Sequence, residues 1–316
     1  MLDLAIIGSG PAGLSAAIYA ARDGHKVQVF EKTAFGGLVA SSEFIENYPG
    51  FEDGISGLEL SKKMRAQAEK FGAKIVYGEV SNIEESENAV KFTADGQNFE
   101  AKTMLLAVGN SYRKLDLPRE DEFYGRGIHS CATCDGPIYA GQTIIAVGGG
   151  NSAVTEALFL SKFSKVKLLV RSEIRAEKVL QERLKKAIQE GKIEIFLGAE
   201  VEEFLFEEQG NFEKIRGARI NQKRENGQIE TFDIEAAAIF EFIGLTPNTD
   251  FLKDSPVKLN DFGEIAVDSH LKTSGSRIWA AGDAIENATK QIAVASGNGV
   301  RAALEISKFI ENLAEI

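Results

Sequence analysis

The chain has 316 residues, of which 36 are basic and 47 acidic, giving a formal net charge of −11, with 44% hydrophobic and 26% charged residues. That is the composition of a globular chain with ample core for one large or two ordinary domains, and its acidity excludes a general attraction for nucleic acid or anionic membrane. No apolar run approaches the roughly 20 residues that span a bilayer, and the first residues, MLDLAIIGSG, lack the basic n-region of a signal peptide, so a cytoplasmic location and reducing surroundings are expected.

The first stretch, LAIIGSGPAGLSAAIYAARDGHKVQVFEK, reads as strand, glycine turn, helix and strand. Residues 4–7 are a short apolar run. Gly8, Gly10 and Gly13 follow as G-x-G-x-x-G, a small apolar helix covers 14–22, and a second strand over 27–30 ends at Glu31. The chemistry asks for this order. Gly8 permits a tight turn, Gly10 lets a pyrophosphate approach the backbone, and Gly13 lets helix and strand pack closely. The helix N-terminus offers free N–H groups to the phosphates, and Glu31 can accept from a ribose hydroxyl.

Both cysteines of the chain, Cys131 and Cys134, lie in CATCDG. Three chemistries are open to such a pair: a structural staple, half of a metal site, or a dithiol that opens and closes. A reducing compartment disfavours the staple. Zinc wants four Cys or His ligands in spaced pairs, and only His25, His129 and His270 remain, with His129 too close to the cysteines to serve as a second pair. A redox pair is the leading reading, because C-x-x-C spacing lowers a thiol pKa.

A second cradle begins directly afterwards, in QTIIAVGGGNSAVTEALFLSKFSKVKLLVRSEIR. Its strand is expected at 143–147, its glycine turn at Gly148, Gly150 and Ala153 (G-x-G-x-x-A), its helix through Leu160 and its second strand at 166–170. Two cradles imply two nucleotides. Arg171 and Arg175, four apart, would share a face and suit the 2′-phosphate of NADP if a helix started at Ser172. The charged stretch from Glu202 to Glu230 reads as a solvated pair of β-hairpins.

Taken together, GSGPAG, GGLVAS, ENYPG, CATCDG, GGGNSAV and AAGDA, in this order and over nearly the full length, make the chain similar to the low-molecular-weight thioredoxin reductases, FAD-dependent pyridine nucleotide-disulfide oxidoreductases of class II. The resemblance implies an α/β fold of two Rossmann-like nucleotide-binding domains of three-layer ββα type. An FAD domain at 1–110 and 243–316 would be split by an inserted NAD(P)H-type domain at 111–242 that carries the CxxC. It implies a homodimer, and a rotation of one domain against the other that presents either the thiols or NADPH to the flavin. By resemblance, Gly8, Gly10, Pro11, Ala12, Gly13 and Glu31 would bind the FAD pyrophosphate and ribose. Gly36, Gly37, Leu38 and Asn47 would lie along the flavin. Gly109 would belong to the same site, and Gly282 and Asp283 would meet the ribitol chain. Gln291 and Ile292 would sit at the pyrimidine end, where a helix N-terminus favours the reduced, anionic flavin. Gly148, Gly150, Asn151, Ser152, Ala153, Arg171 and Arg175 would hold NADPH. Cys134 would face the flavin, Cys131 would attack the disulfide of thioredoxin or a thioredoxin-like protein, and Asp135 would exchange protons with the thiols. No metal is expected.

The match departs from the family at the phosphate signature H-R-R-x-x-x-R, of which this chain keeps only Arg171 and Arg175, after Leu169 and Val170. A charge-assisted hydrogen bond contributes about 1.5–3 kcal/mol, so one missing arginine weakens NADPH by roughly tenfold or more. No acid marks a switch to NADH. Asn151 stands where the family commonly has Asp, and Lys290 where it has Arg. Three readings therefore stay open: an NADPH-dependent thioredoxin reductase, the same dithiol output driven by NADH or ferredoxin, and a flavin- and nucleotide-binding sensor or scaffold.

Overall fold

The structure, a computed structural model, describes every residue except Glu43, Phe44, Glu46, Asn211, Glu225, Glu315 and Ile316, and the side chains of Cys134, Gln209 and Ala314 also lie outside the description. The chain divides into two compact units, Met1–Ser111 with Thr246–Ile316, and Tyr112–Leu245. Each is a parallel sheet with helices on one face and an antiparallel meander on the other, the α/β Rossmann-like fold.

The first unit opens with β1 (Leu2–Ile7), α1 (Pro11–Arg22), β2 (Val27–Glu31), α2 (Gly57–Lys70), β3 (Lys74–Tyr77), β4 (Val80–Glu85), β5 (Val90–Ala94), β6 (Gln97–Leu106) and β7 (Asn110–Tyr112). The second unit follows with α3 (Glu120–Phe123), β8 (Ile128–His129), α4 (Ala132–Asp135), β9 (Thr143–Val147), α5 (Asn151–Leu160), β10 (Lys165–Val170), α6 (Lys178–Gln189), β11 (Ile193–Leu197), β12 (Ala199–Gln209), β13 (Phe212–Lys223), β14 (Ile229–Glu235) and β15 (Ala238–Glu241). The chain then returns to the first unit through β16 (Leu245–Pro247), β17 (Ile278–Ala280) and α7 (Ile292–Ala314).

In the first unit the order is β3-β2-β1-β6-β5-β4, with β17 also on β6. The length of β6 makes this possible. Residues 97–101 pair antiparallel with β5, while residues 104–106 run parallel to β17, and β1 pairs along 101–106 on the opposite edge. The rings of Phe92 and Phe99, in the meander, meet Phe30 of β2 at 5.3 and 5.0 Å between centroids in edge-to-face contacts that bind meander to sheet. On the other face, the small residues of α1 let α7 approach so closely that a Cβ at Gly299 would lie 2.0 Å from the Ala12 carbonyl oxygen.

The second unit repeats the plan, with parallel order β11-β10-β9-β15-β8 and meander β12-β13-β14. Ile144 and Ala146 of β9 pack with Val154, Ala157 and Leu160 of α5, whereas Ile145 and Val147 pack with Phe204, Ile215 and Ile220 of the meander. A strand covered on both faces is apolar at every position, which is why TIIAV shows no alternation. The expected hairpins are present as β12, β13 and β14. One face of them is buried rather than solvated, because the second face of the parallel sheet needs a cover.

Glu241, the last residue of β15, is 1% exposed, and neither carboxyl oxygen has a hydrogen-bond partner among the described residues. Burial pushes its pKa up to about 9, and the neighbouring Glu120 carboxylate, with Asp116, acts in the same direction against Lys114. Glu120 stays bound to the backbone N–H groups of Leu115 and Leu117 at 3.0 Å each. The folded value lies above the ordinary carboxyl value, so the contribution is intact below about pH 4.5 and is lost progressively as pH rises toward 9, at up to about 1.4 kcal/mol per pH unit. Glu241→Gln removes this slope. Denaturant unfolding is expected to find the variant and the parent similar near pH 5 and the variant more stable by at least about 2 kcal/mol near pH 8; parallel curves would refute it.

Candidate functional site

In the first unit β1 ends in a turn with no room for side chains. Gly8 has φ +102°, and a Cβ there would lie 2.3 Å from the Ala107 oxygen. A Cβ on Gly13 would lie 2.0 Å from the Gly8 oxygen, but one on Gly10 would meet nothing within 4 Å. Two glycines are thus required by packing, and the middle one faces open space at the start of α1, with Pro11 as the first helical residue. Glu31 closes the turn. Its Oε2 accepts from the Ser9 N–H at 2.9 Å and the Ser9 hydroxyl at 2.7 Å, and its Oε1 from the Thr33 N–H at 3.0 Å.

Residues expected along a flavin gather at this turn. Gly36 donates its N–H to the Ser9 carbonyl at 3.1 Å, and a Cβ on Gly37 would sit 3.3 Å from the Gly10 Cα; Leu38 follows in a short 3₁₀ turn. Asn47 donates to Gln291 Oε1 at 3.2 Å across 244 residues of sequence, and Gln291 immediately precedes Ile292, the first residue of α7. Gly282 has φ +86°, and a Cβ there would lie 3.0 Å from the Ala12 Cβ. The Gly109 oxygen accepts from the Asn248 N–H at 3.0 Å. Asp283 is the informative case. Its Oδ1 is buried without a partner among the described residues, and burial raises its pKa, with Lys290 opposing. Asn110 donates to the Asp283 carbonyl at 3.2 Å while its own Oδ1 is also buried and unpartnered. Buried oxygens without donors are uncommon, and two together fit a hydroxyl-bearing ligand such as the ribitol of FAD.

The second unit reproduces the cradle. Gly148 has φ +140°, with its Cβ position 2.4 Å from the Phe242 oxygen, while a Cβ on Gly150 would again meet nothing. Ala153 is fully buried, and Ser152 is exposed beside Asn151 in the first turn of α5. Asn151 accepts from the Glu177 N–H at 2.8 Å and donates to Glu177 Oε1 at 3.2 Å. The Arg175 N–H donates to the Gly149 oxygen at 2.7 Å. These bonds draw residues 171–177 over the glycine turn as a loop, so the helix expected from Ser172 does not form there and α6 begins at Lys178. Arg171 and Arg175 are brought to the cradle by this loop instead of by a helix face. Both are exposed, and Arg171 Nε lies 3.8 Å from Glu200 Oε1, a surface pair worth little by itself.

Cys131 precedes α4 and is disulfide-bonded; the side chain of Cys134 lies outside the described residues. The Cys131 Sγ is 3.4 Å from the Thr133 hydroxyl. Asp135, about one-third exposed, places Oδ2 3.1 Å from Nδ1 of the buried His129. His129, Ser9 and Asn110 were not marked by any motif. Ser9 lies inside G-S-G, but its hydroxyl contact to Glu31 needs the fold, as do the other two.

A model of the family described as pyridine nucleotide-disulphide oxidoreductase matches residues 2–299. The chain is 37% identical over 316 aligned residues to a thioredoxin reductase of Streptomyces clavuligerus, covering 98% of this chain and 94% of that protein. The crystal structure of Lactococcus lactis thioredoxin reductase superimposes with a TM-score of 0.87 at 35% identity, covering 99% of this chain and all of the other. That of T. acidophilum thioredoxin reductase gives 0.86 at 35% identity, covering 98% and 99%.

Gly13→Ala should destabilise the first unit by about 1–3 kcal/mol, because a backbone oxygen occupies the Cβ position and helix or strand must shift. Gly10→Ala should cost well under that in the cofactor-free protein. Denaturant unfolding of the two variants checks the ranking, and equal losses would contradict it.

Proposed function

Because the chain belongs to the pyridine nucleotide-disulphide oxidoreductase family, we propose that it is a thioredoxin-disulfide reductase, a flavoenzyme that carries two electrons from NADPH through FAD to a Cys131–Cys134 disulfide and on to thioredoxin. The observation that carries this reading is the oxidised Cys131 within four residues of a half-buried carboxylate, Asp135, in a chain with two nucleotide cradles. We place the enzyme in the cytosol as a homodimer.

FAD, when bound, supplies a two-electron carrier between nicotinamide and disulfide. The first cradle suits it: Gly10 leaves the approach open, Glu31 is held at the end of β2, and Asp283 presents the unpartnered Oδ1. Gly148, Gly150 and Ala153 would form the NADPH cradle, and Arg171 and Arg175 would supply charge to its 2′-phosphate. Reduction of the disulfide by two electrons and a proton leaves one thiol and one thiolate. The Cys131 thiolate attacks one sulfur of the thioredoxin disulfide, forming a mixed disulfide and expelling a thiolate that Asp135 protonates. Cys134 returns a proton to Asp135 and attacks the mixed disulfide at Cys131. The Cys131–Cys134 bond re-forms and reduced thioredoxin leaves.

A second reading concerns the donor alone. Only Arg171 and Arg175 remain of the family's phosphate signature, which leaves NADH or reduced ferredoxin as alternatives to NADPH. Anaerobic mixing separates the two. Rapid flavin bleaching by micromolar NADPH, with an NADPH KM raised by about tenfold in Arg171→Ala, is expected. Bleaching by ferredoxin or NADH but not by NADPH would replace the donor while keeping the dithiol output. Cys131→Ser is expected to retain bleaching and lose thioredoxin reduction. Thioredoxin binding of unchanged affinity in Cys131→Ser and Cys134→Ser, with no turnover by the parent, would instead indicate a scaffold.

A further inference from the structure

His129 ends β8, two residues before Cys131, and its side chain is only 2% exposed. The ring stacks on Phe240 at 5.1 Å between centroids and meets the edge of Tyr139 at 5.5 Å, so its orientation is set by packing. Nε2 lies 3.2 Å from the backbone nitrogen of Gly127 and 2.9 Å from the Tyr139 hydroxyl. A backbone N–H can only donate, so Nε2 is the acceptor and carries no hydrogen. Gly127 has no freedom to turn that N–H away: it sits at φ +116°, and its Cβ position is 2.8 Å from Ile215 Cγ1. In the neutral ring the proton is therefore on Nδ1, facing Asp135 Oδ2 at 3.1 Å. Though 3.1 Å long, the contact falls short of a full hydrogen bond, and no other acceptor reaches Nδ1 among the described residues. Burial holds the imidazole below its ordinary value against the upward pull of Asp135, in keeping with a neutral ring.

We infer that His129 is a positioning residue for the thiol chemistry, its Nδ1–H set against Oδ2 of Asp135 so that Oδ1 is kept for proton exchange with the dithiol. This rests on the reading of Asp135 as the acid/base group. A general acid must stay within hydrogen-bond reach of the sulfur it protonates. A carboxylate that is one-third exposed, with nothing fixing one oxygen, rotates toward water. The buried imidazole supplies a fixed, uncharged donor behind it, and the Gly127 N–H selects the tautomer that makes it a donor. Protonation of the ring would set a second N–H against that of Gly127, so the device is built to stay neutral while Asp135 cycles.

The test uses full-length, flavin-loaded enzyme reduced anaerobically with dithionite and mixed with oxidised thioredoxin, or with a small aromatic disulfide, at several pH values. The limiting rate of reoxidation and the half-saturating disulfide concentration are read. His129→Phe keeps the ring packing and removes both nitrogens. His129→Asn returns an N–H donor near the Nδ1 position. Asp135→Asn is run beside them. In His129→Phe the limiting rate is expected to fall by about tenfold to a hundredfold with a displaced pH profile and an unchanged half-saturating concentration, and His129→Asn should recover to within a few-fold of the parent. A parent-like rate and pH profile in His129→Phe, with a slow Asp135→Asn, would overturn the role of His129 alone. Equal slowing of both His129 variants with an unmoved pH profile would reduce it to a packing residue. A parent-like Asp135→Asn would remove the acid/base reading and the inference with it.

Discussion

The architecture depends on a steric constraint used twice. At the end of β1 and again at the end of β9, the chain turns into a helix while touching the backbone that follows the neighbouring strand. The Gly8 Cβ position is 2.3 Å from Ala107 O, and that of Gly148 is 2.4 Å from Phe242 O. Ala107 follows β6 and Phe242 follows β15, the strands flanking β1 and β9 in their sheets. Any side chain there would push a sheet strand aside. Close contact at those points brings the helix N-terminus against the strand ends, where its unpaired N–H groups face a ligand. The glycines two residues on, Gly10 and Gly150, remain open in both units. Each turn thus has one glycine required by packing and another, two residues on, left open.

Buried polar groups then distinguish the units. In the first, Asp283 and Asn110 keep oxygens without donors, a cost that a hydroxylated ligand would offset. In the second, Glu241 lies beside Glu120, which has backbone donors, and Glu241 avoids the larger cost of a buried charge by remaining protonated. The redox segment follows different physics. Asp135 is open enough to water to exchange protons, and its other side is set against the buried neutral ring of His129. In the proposed mechanism, a group that changes charge during turnover is supported by one that does not.

Much of this was legible in residue order. The strands at β1, β2, β9 and β10 follow from continuous apolar runs ending in glycine turns, and α1 and α5 from small apolar residues after them. The loop over 171–177 was not legible, because Arg171 and Arg175 have helical spacing while the bonds that hold the segment come from Asn151 and the Gly149 carbonyl, more than twenty residues away. The burial of one hairpin face was hidden by the high charge of the exposed face. The sequence marks His129 only as a candidate metal ligand. Its contact with Asp135 depends on Gly127, Tyr139 and Phe240, and no spacing rule links those four residues.

The claim at the centre of this account is that the disulfide at Cys131 exchanges electrons with the bound flavin. Anaerobic dithionite titration counts those electrons directly. The account predicts four per flavin in the parent protein, two for the flavin and two for the disulfide, and two in Cys131→Ser. An uptake of only two by the parent, with Cys131 still oxidised at the end, would contradict it.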